Sequence, residues 1–314
     1  MADPVKAAVV GVGYLGRFHA QKYASLQNCK LVAVVDIDPA RAEAVGRELG
    51  VPGTTDLEAV LPQVEAVSIA AATAAHFELG RRCLAAGKHA LIEKPLTATT
   101  EQAEALVDLA EARGVLLQVG HLERYNPALL GVRGQIARPQ FIEAIRISSF
   151  LGRGADVDVV LDLMSHDLDL VLHLVGSPLV HLHAVGISLV TSSTDLANAR
   201  LVFQNGAVAN LTASRISTKA ERTMRIFQAD AYFSLDFAAP AARVYRRTLQ
   251  AEAAGGFAET VLTPPKGDAL LSEIDAFAAC IRGAAPSGAG GRDGLRTVAV
   301  AQQVIQDISR NRLP

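Results

Sequence analysis

The sequence predicts an α/β chain in two parts: a doubly wound parallel sheet over residues 1–121, then an α+β part, residues 122–314, with an open, mainly antiparallel sheet. Three observations carry this. The first 120 residues alternate short apolar runs with helical patterns. After Gly120 that rhythm gives way to strand upon strand. Half of the 314 residues are hydrophobic and 20% are charged, which suffices for two cores.

In chain order, apolar runs at 6–10, 31–35, 65–70, 89–93 and 115–119 read as strands, with helices at 75–86 and 100–112. Such alternation implies a parallel sheet covered on both faces. Residues 141–151, 180–190, 197–204, 207–214, 223–229 and 232–237 read as further strands, mostly without helices between them. Asn205-Gly206, between two alternating runs, predicts a two-residue hairpin. A helix is expected over 159–175, and closing helices over 269–282 and 295–310, separated by a Gly-rich loop at 283–294. The last helix is free to pack back on the first part.

The totals exclude several function classes. A net charge of −2 offers no field for nucleic acid or an anionic membrane. Cys29, Cys83 and Cys280 form no CxxC pair, which argues for a reducing compartment and against a disulfide framework or zinc ribbon. The segment MADPVKAAVV has no signal-peptide pattern. Residues 170–194 carry no Lys, Arg, Asp or Glu, yet Gly176-Ser177-Pro178 breaks them and His173, His181 and His183 interrupt the rest. A helix ending near Val175 and a strand from Leu179 explain the stretch better than a membrane span. The expectation is a soluble cytoplasmic protein.

Gly11-Val12-Gly13-Tyr14-Leu15-Gly16 gives GxGxxG between a strand and a helix, and the next strand ends at Asp36 about twenty residues on, as in a Rossmann dinucleotide site. Gly11 makes the tight turn, Gly13 admits a pyrophosphate, and Gly16 lets helix and strand close up. Tyr14 and Leu15 open the helix whose N-terminus attracts the phosphates. A carboxylate at Asp36 accepts both adenosine ribose hydroxyls and repels a 2′-phosphate, so NAD is the expected cofactor in preference to NADP. Ile37 is a neighbouring candidate contact. Asp38 adds negative charge, and Arg41 opposes it if it reaches back.

Two further motifs are distinctive: Glu93-Lys94-Pro95 at a strand end, and Asp162-Leu163-Met164-Ser165-His166-Asp167 on the helix after Gly120. With GVGYLGRFHA at the start, the chain resembles the glucose–fructose oxidoreductase, inositol dehydrogenase and MocA family over essentially its whole length. The resemblance implies a Rossmann domain followed by an open antiparallel α/β domain, whose sheet joins copies as a homodimer or homotetramer. It also implies catalytic roles for Lys94, Asp162 and His166, with Lys94 and His166 also meeting substrate, and Ala71, His76, Glu93 and Lys94 on the cofactor side. Ala70-Ala71-Ala72-Thr73 departs from the family's usual Ala-Thr-Pro turn, and Asp156-Val157-Asp158 replaces its Gly-Gly pair.

The residues support these roles on their own terms. Lys94 sits at the carboxyl end of a parallel strand, where open α/β sheets keep their ligand crevice; the alternative is a surface lysine. Asp162 and His166 are four apart and share a helix face. They suit an imidazole base held by a carboxylate, but also a buried polar ladder or a metal pair. The resemblance favours the base, and no metal is expected. Asp169 and His173 on the same stripe read as structural.

Arg124, Tyr125 and Asn126 follow the last parallel strand, on a loop expected to pass over the nicotinamide, and are candidate substrate contacts with Arg153. Asn126-Pro127 equally suits a helix cap. HLERYNPA with DVVLDLMSHDLDL is similar to the family branch acting on nucleotide-linked amino sugars, of which UDP-N-acetylglucosamine oxidised at C3 is the example. Oxidation of a free polyol such as inositol, or NAD binding without turnover in a regulator, are the alternatives.

Overall fold

The computed structural model describes residues 3–150, 157–247, 257–284 and 288–311, which divide into two compact units. Residues 1–122 and 268–298 make the first; residues 123–267 and 299–314 make the second. The second part is therefore not the continuous segment 122–314 that the sequence suggested, because the chain contributes residues 268–298 to the first unit.

In the first unit, strands and helices alternate as β1 (Val5–Val10), α1 (Tyr14–Ser25), β2 (Cys29–Val35), α2 (Pro39–Leu49), β3 (Gly53–Thr54), α3 (Leu57–Val60), β4 (Ala66–Ile69), α4 (Thr73–Ala85), β5 (His89–Glu93), α5 (Thr100–Arg113) and β6 (Leu117–Gly120). The strands form one parallel sheet in the order β3-β2-β1-β4-β5-β6. Alternate side chains of β1 explain its unbroken apolar run. Val5, Ala7 and Val9 enter one core, while Ala8 and Val10 enter the other. The order reverses between β1 and β4, and at such a switch point a doubly wound sheet holds its ligand beyond the strands' carboxyl ends.

The second unit begins with α6 (Pro127–Leu130) and β7 (Phe141–Ile147), followed by a π turn at Val160–Met164 that continues as α7 (Ser165–Val175). Then come β8 (Leu179–Ile187), β9 (Leu196–Phe203), β10 (Val208–Ser214), β11 (Glu221–Phe227), β12 (Ala231–Asp236), β13 (Ala241–Arg247) and β14 (Phe257–Leu262). These make an eight-stranded sheet, β14-β13-β12-β11-β7-β10-β9-β8, antiparallel except where β7 meets β10. The mainly antiparallel expectation holds, although β13 and β14 extend the sheet beyond the strands foreseen. Leu168, Val171 and Val175 of α7 cover its inner face with Ile142, Leu201 and Phe233.

The chain closes with α8 (Ala269–Ile281) and α9 (Gly291–Arg310). Helix α9 starts within the expected Gly-rich loop. Its residues up to Val298 group with the first unit and those from Ala299 with the second.

The β9–β10 hairpin forms, but not with two residues. Phe203 N donates to Ala207 O and Gly206 N donates back to Phe203 O. Only Gly206 has positive φ, +86°. A two-residue I′ turn would need Asn205 left-handed as well, so the loop takes Gln204 to Gly206.

Candidate active site

The first unit builds a nucleotide cradle at its switch point. Gly11 follows β1 with φ +81°, and a Cβ there would lie 2.6 Å from Ala71 Cα, so the half-buried turn after β4 packs directly on the glycine turn. No side chain caps α1 at Gly13, and a Cβ on Gly13 would meet nothing within 4 Å. That open approach to a helix N-terminus fits the pyrophosphate of NAD. Gly16 admits no side chain at all against the Gly11 carbonyl. A cavity of about 470 Å3, lined in part by Val12, Gly13, Tyr14 and Arg41, opens here. Tyr14 is 77% and Ile37 95% exposed, while Leu15 is partly exposed.

Asp36 does more than the sequence indicated. It is buried at the end of β2, and its Oδ2 accepts from Val12 N at 2.8 Å, tying the glycine turn to the neighbouring strand. Its Oδ1 accepts from Asp38 N at 3.0 Å and from Arg41 Nη1 at 3.1 Å. Arg41 also lies 3.4 Å from Asp38, so it does reach back. Asp38 in addition caps α2, accepting from Ala40 N and Arg41 N before Pro39 sets the first turn.

Lys94 is half-buried just past β5, and its peptide to Pro95 is cis. Two residues expected beside the cofactor, Glu93 and His76, are buried and hydrogen-bonded within the protein. Glu93 Oε1 lies 2.9 Å from His19 Nε2, and Oε2 accepts from Lys94 N at 3.2 Å. Burial alone would push the Glu93 carboxyl up, but the His19 hydrogen bond and the Lys94 cation outweigh it and hold it below its ordinary value. His76 is buried, with Nδ1 2.9 Å from Pro95 O and Nε2 3.0 Å from Ala71 O. A buried polar group must find its partners in the protein, and both side chains do. His76 lies between the Ala71 turn and the turn after Lys94.

In the second unit, Asp162 lies on the π turn and His166 in the first turn of α7, both half-buried. A π turn closes i→i+5, so residues four apart fall just short of one turn instead of just beyond it, and stay near neighbours on the helix wall. The turn's entry is tightly held. Asp158 accepts from Val160 N at 2.9 Å and from Thr194 N at 3.3 Å, and Asp195 accepts from three consecutive amides, those of Leu189, Val190 and Thr191. The stripe continuing from His166 divides: Asp169 is buried, whereas His173 is exposed.

Arg124 and Asn126 depart from their expected roles. Arg124 is 7% exposed and binds Asp169 through Nε at 2.8 Å and Nη2 at 2.6 Å. It is the countercharge of a buried carboxylate. Asn126 caps α6 by accepting from Ala128 N, and its amide donates to Glu123 Oε2 and Phe237 O. Tyr125 between them is half-buried. Arg153 lies outside the described residues.

The sequence reading passed over a parallel pair. Arg146 binds buried Asp167 at 2.9 and 3.0 Å and half-buried Glu123 at 2.9 Å. It also passed over His19, although a histidine three residues after Gly16, on the same helix face as Tyr23, was a visible signal. Among the described residues no group of three or more His, Cys, Asp or Glu is arranged to hold a metal ion, and no helix is long and apolar enough to cross a membrane.

Comparison with known proteins follows the two units. The model of the glucose–fructose oxidoreductase, inositol dehydrogenase and MocA oxidoreductase family, with its NAD-binding Rossmann fold, matches residues 5–121. The model of that family's C-terminal domain matches residues 129–233. The chain is 40% identical over 302 residues to the UDP-N-acetylglucosamine 3-dehydrogenase of Acidithiobacillus ferrooxidans, covering 96% of each. A solved structure of a UDP-N-acetylglucosamine 3-dehydrogenase from that organism superposes with a TM-score of 0.92 at 39% identity, covering 98% of this chain and 99% of that one. The NAD(+)-dependent scyllo-inositol 2-dehydrogenase of Bacillus subtilis is 30% identical over 238 residues, 69% of each chain.

Proposed function

Because the chain belongs to the glucose–fructose oxidoreductase, inositol dehydrogenase and MocA family, we propose that it oxidises a secondary alcohol of a nucleotide-linked amino sugar, such as C3 of UDP-N-acetylglucosamine. One observation carries the substrate class. Likeness to the nucleotide-sugar enzyme extends over 96% of both chains at 40% identity, whereas likeness to the inositol enzyme covers 69% at 30%.

Bound NAD supplies the hydride acceptor. Lys94 donates to the reacting hydroxyl and stabilises the charge growing on its oxygen. His166 takes the hydroxyl proton, and Asp162 holds the imidazole in orientation. The C–H bond breaks with its electron pair, the O–H proton goes to His166, and a ketone remains. NAD is preferred to NADP because the Asp36 carboxylate stands where a 2′-phosphate would have to sit. For the diphosphate, Arg153 retains the role that Arg124 does not fill, since arginine suits phosphate oxygens. We also read the enzyme as cytoplasmic, and as a homodimer or homotetramer joined through the second unit's sheet. Stacked Phe227, Tyr232 and Tyr245, with centroids 4.5 and 5.1 Å apart, supply an aromatic surface for that contact.

The test measures NADH formation with UDP-N-acetylglucosamine, free N-acetylglucosamine and myo-inositol, with an aminotransferase and amino donor trapping the ketone. Efficient turnover of the nucleotide sugar alone is expected. Robust turnover of a free polyol only would overturn the substrate class and leave the family intact. NAD binding without turnover of any sugar would favour a regulator.

A further inference from the structure

Beside Lys94 lies a chain of buried polar side chains that the proposed chemistry does not use. His19 on α1, Ser68 on β4 and Tyr23 on α1 are each 0% exposed. His19 Nδ1 is 3.3 Å from Ser68 Oγ, and Ser68 Oγ is 3.1 Å from Tyr23 Oη. On its other side His19 Nε2 reaches Glu93 Oε1 at 2.9 Å, and the second Glu93 oxygen accepts the Lys94 amide.

A carboxylate only accepts, so His19 Nε2–H donates to Glu93. His19 Nδ1 and Tyr23 Oη each share a hydrogen bond with Ser68 Oγ. Burial pushes the Tyr23 phenol far above its ordinary range, so it keeps its proton. Room for the carboxylate is reserved as well: a Cβ on Gly120 would lie 2.8 Å from the Glu93 carboxyl carbon. An apolar residue at position 19 would fill the same volume without desolvating a polar ring. What the relay adds is a fixed, charged carboxylate one residue before Lys94.

We propose that His19 is a positioning residue for Lys94: backed by Ser68 and Tyr23, it holds the Glu93 carboxylate, and Glu93 sets both the exit of the Lys94 backbone from β5 and the charge facing its ammonium. The proposal rests on the reading of Lys94 as the group that meets the reacting hydroxyl.

Two measurements on the intact enzyme test it. His19→Phe lowers kcat by roughly 10- to 100-fold, as loss of an orienting partner does, while the Kd for NAD stays within about threefold. In the Lys94→Ala background the same change costs less than about twofold more, because its effect runs through Lys94. Competitive acetylation, read by mass spectrometry, reports on the link without turnover. Without His19, burial returns a proton to Glu93, and the Lys94 amine loses the charge that favours its ammonium. Lys94 should then acetylate about three- to tenfold faster than in the wild type, with other lysines unchanged. Ser68→Ala, a smaller change, should move both readouts the same way if His19→Phe fails to fold. An unchanged Lys94 labelling rate in either folded variant overturns the proposal, as does a kcat loss undiminished in the Lys94→Ala background. If Lys94→Ala itself turns over like wild type, the role of Lys94 fails, and the labelling rate alone decides the link from His19.

Discussion

Arg124 grips Asp169 with two parallel hydrogen bonds, Nε to Oδ2 at 2.8 Å and Nη2 to Oδ1 at 2.6 Å, and neither residue is more than 7% exposed. Removing one partner of such a pair leaves an uncompensated buried charge, which costs about 3–5 kcal/mol. Arg124→Ala should therefore unfold at markedly lower urea concentration than wild type. Its preference for UDP-N-acetylglucosamine over the free sugar should not change. A folded variant of normal stability whose preference collapses would return Arg124 to the diphosphate.

That pair marks where the sequence stops being legible. The cofactor turn could be read because each of its tasks is local: Gly11, Gly13 and Gly16 serve a strand, a turn and a helix that are contiguous in the chain. Arg124 and Asp169 are 45 residues apart, and no spacing announces that one neutralises the other. The same holds for Glu93, whose partner His19 lies 74 residues earlier. Strand β13 was hidden for another reason. Its inward positions are Ala242 and Val244, and Arg243, Arg246 and Arg247 mask so slight an alternation. The π turn could not be foreseen because Val160, Leu161, Leu163 and Met164 are apolar on every side, which leaves the period undefined.

The catalytic assignment makes a sharper demand. His166→Ala and Lys94→Ala should each lose turnover by about 10²–10⁴-fold, the contribution of a positioned acid–base or oxyanion group. Both should still bind NAD, since neither side chain is part of the glycine turn. Calorimetric titration with NAD, alongside steady-state rates, separates the two effects. Wild-type rates in either variant would remove that residue from the mechanism. Activity abolished by a chelator would point instead to a metal at Asp162 and His166.

Cofactor choice turns on one buried carboxylate with two duties. Asp36 holds Val12 N at 2.8 Å and stands where the ribose hydroxyls of NAD are expected. Wild-type enzyme should bind NADH clearly more tightly than NADPH by fluorescence titration. Asp36→Ala should weaken NADH by roughly 10- to 100-fold, the worth of a charge-assisted hydrogen bond, and NADPH by less, because a repulsion disappears along with a tie. Tighter NADPH binding by the wild type would mean that Arg41 leaves Asp36 and Asp38 to hold a 2′-phosphate.

Acid stability of the first unit should report on Glu65. Its carboxylate accepts from Arg282 at 2.7 and 3.1 Å and from Lys6 N at 3.1 Å, joining the end of α8 to the central strands. The Arg282 hydrogen bonds, chiefly, hold the carboxyl down at about 2. An unfolded glutamate titrates near 4.3, so between these values the unfolded chain takes up a proton that the folded one refuses. The stabilisation is thus fully present above about pH 4.3 and is lost as pH falls from there towards about 2. Glu65→Gln should melt below wild type at pH 7, and the gap should close steadily on acidification through that window. Because the pair is partly exposed, the gap should also shrink in about 1 M salt. Melting curves that coincide at pH 7, or a gap that widens on acidification, would show that this ion pair contributes nothing to folding.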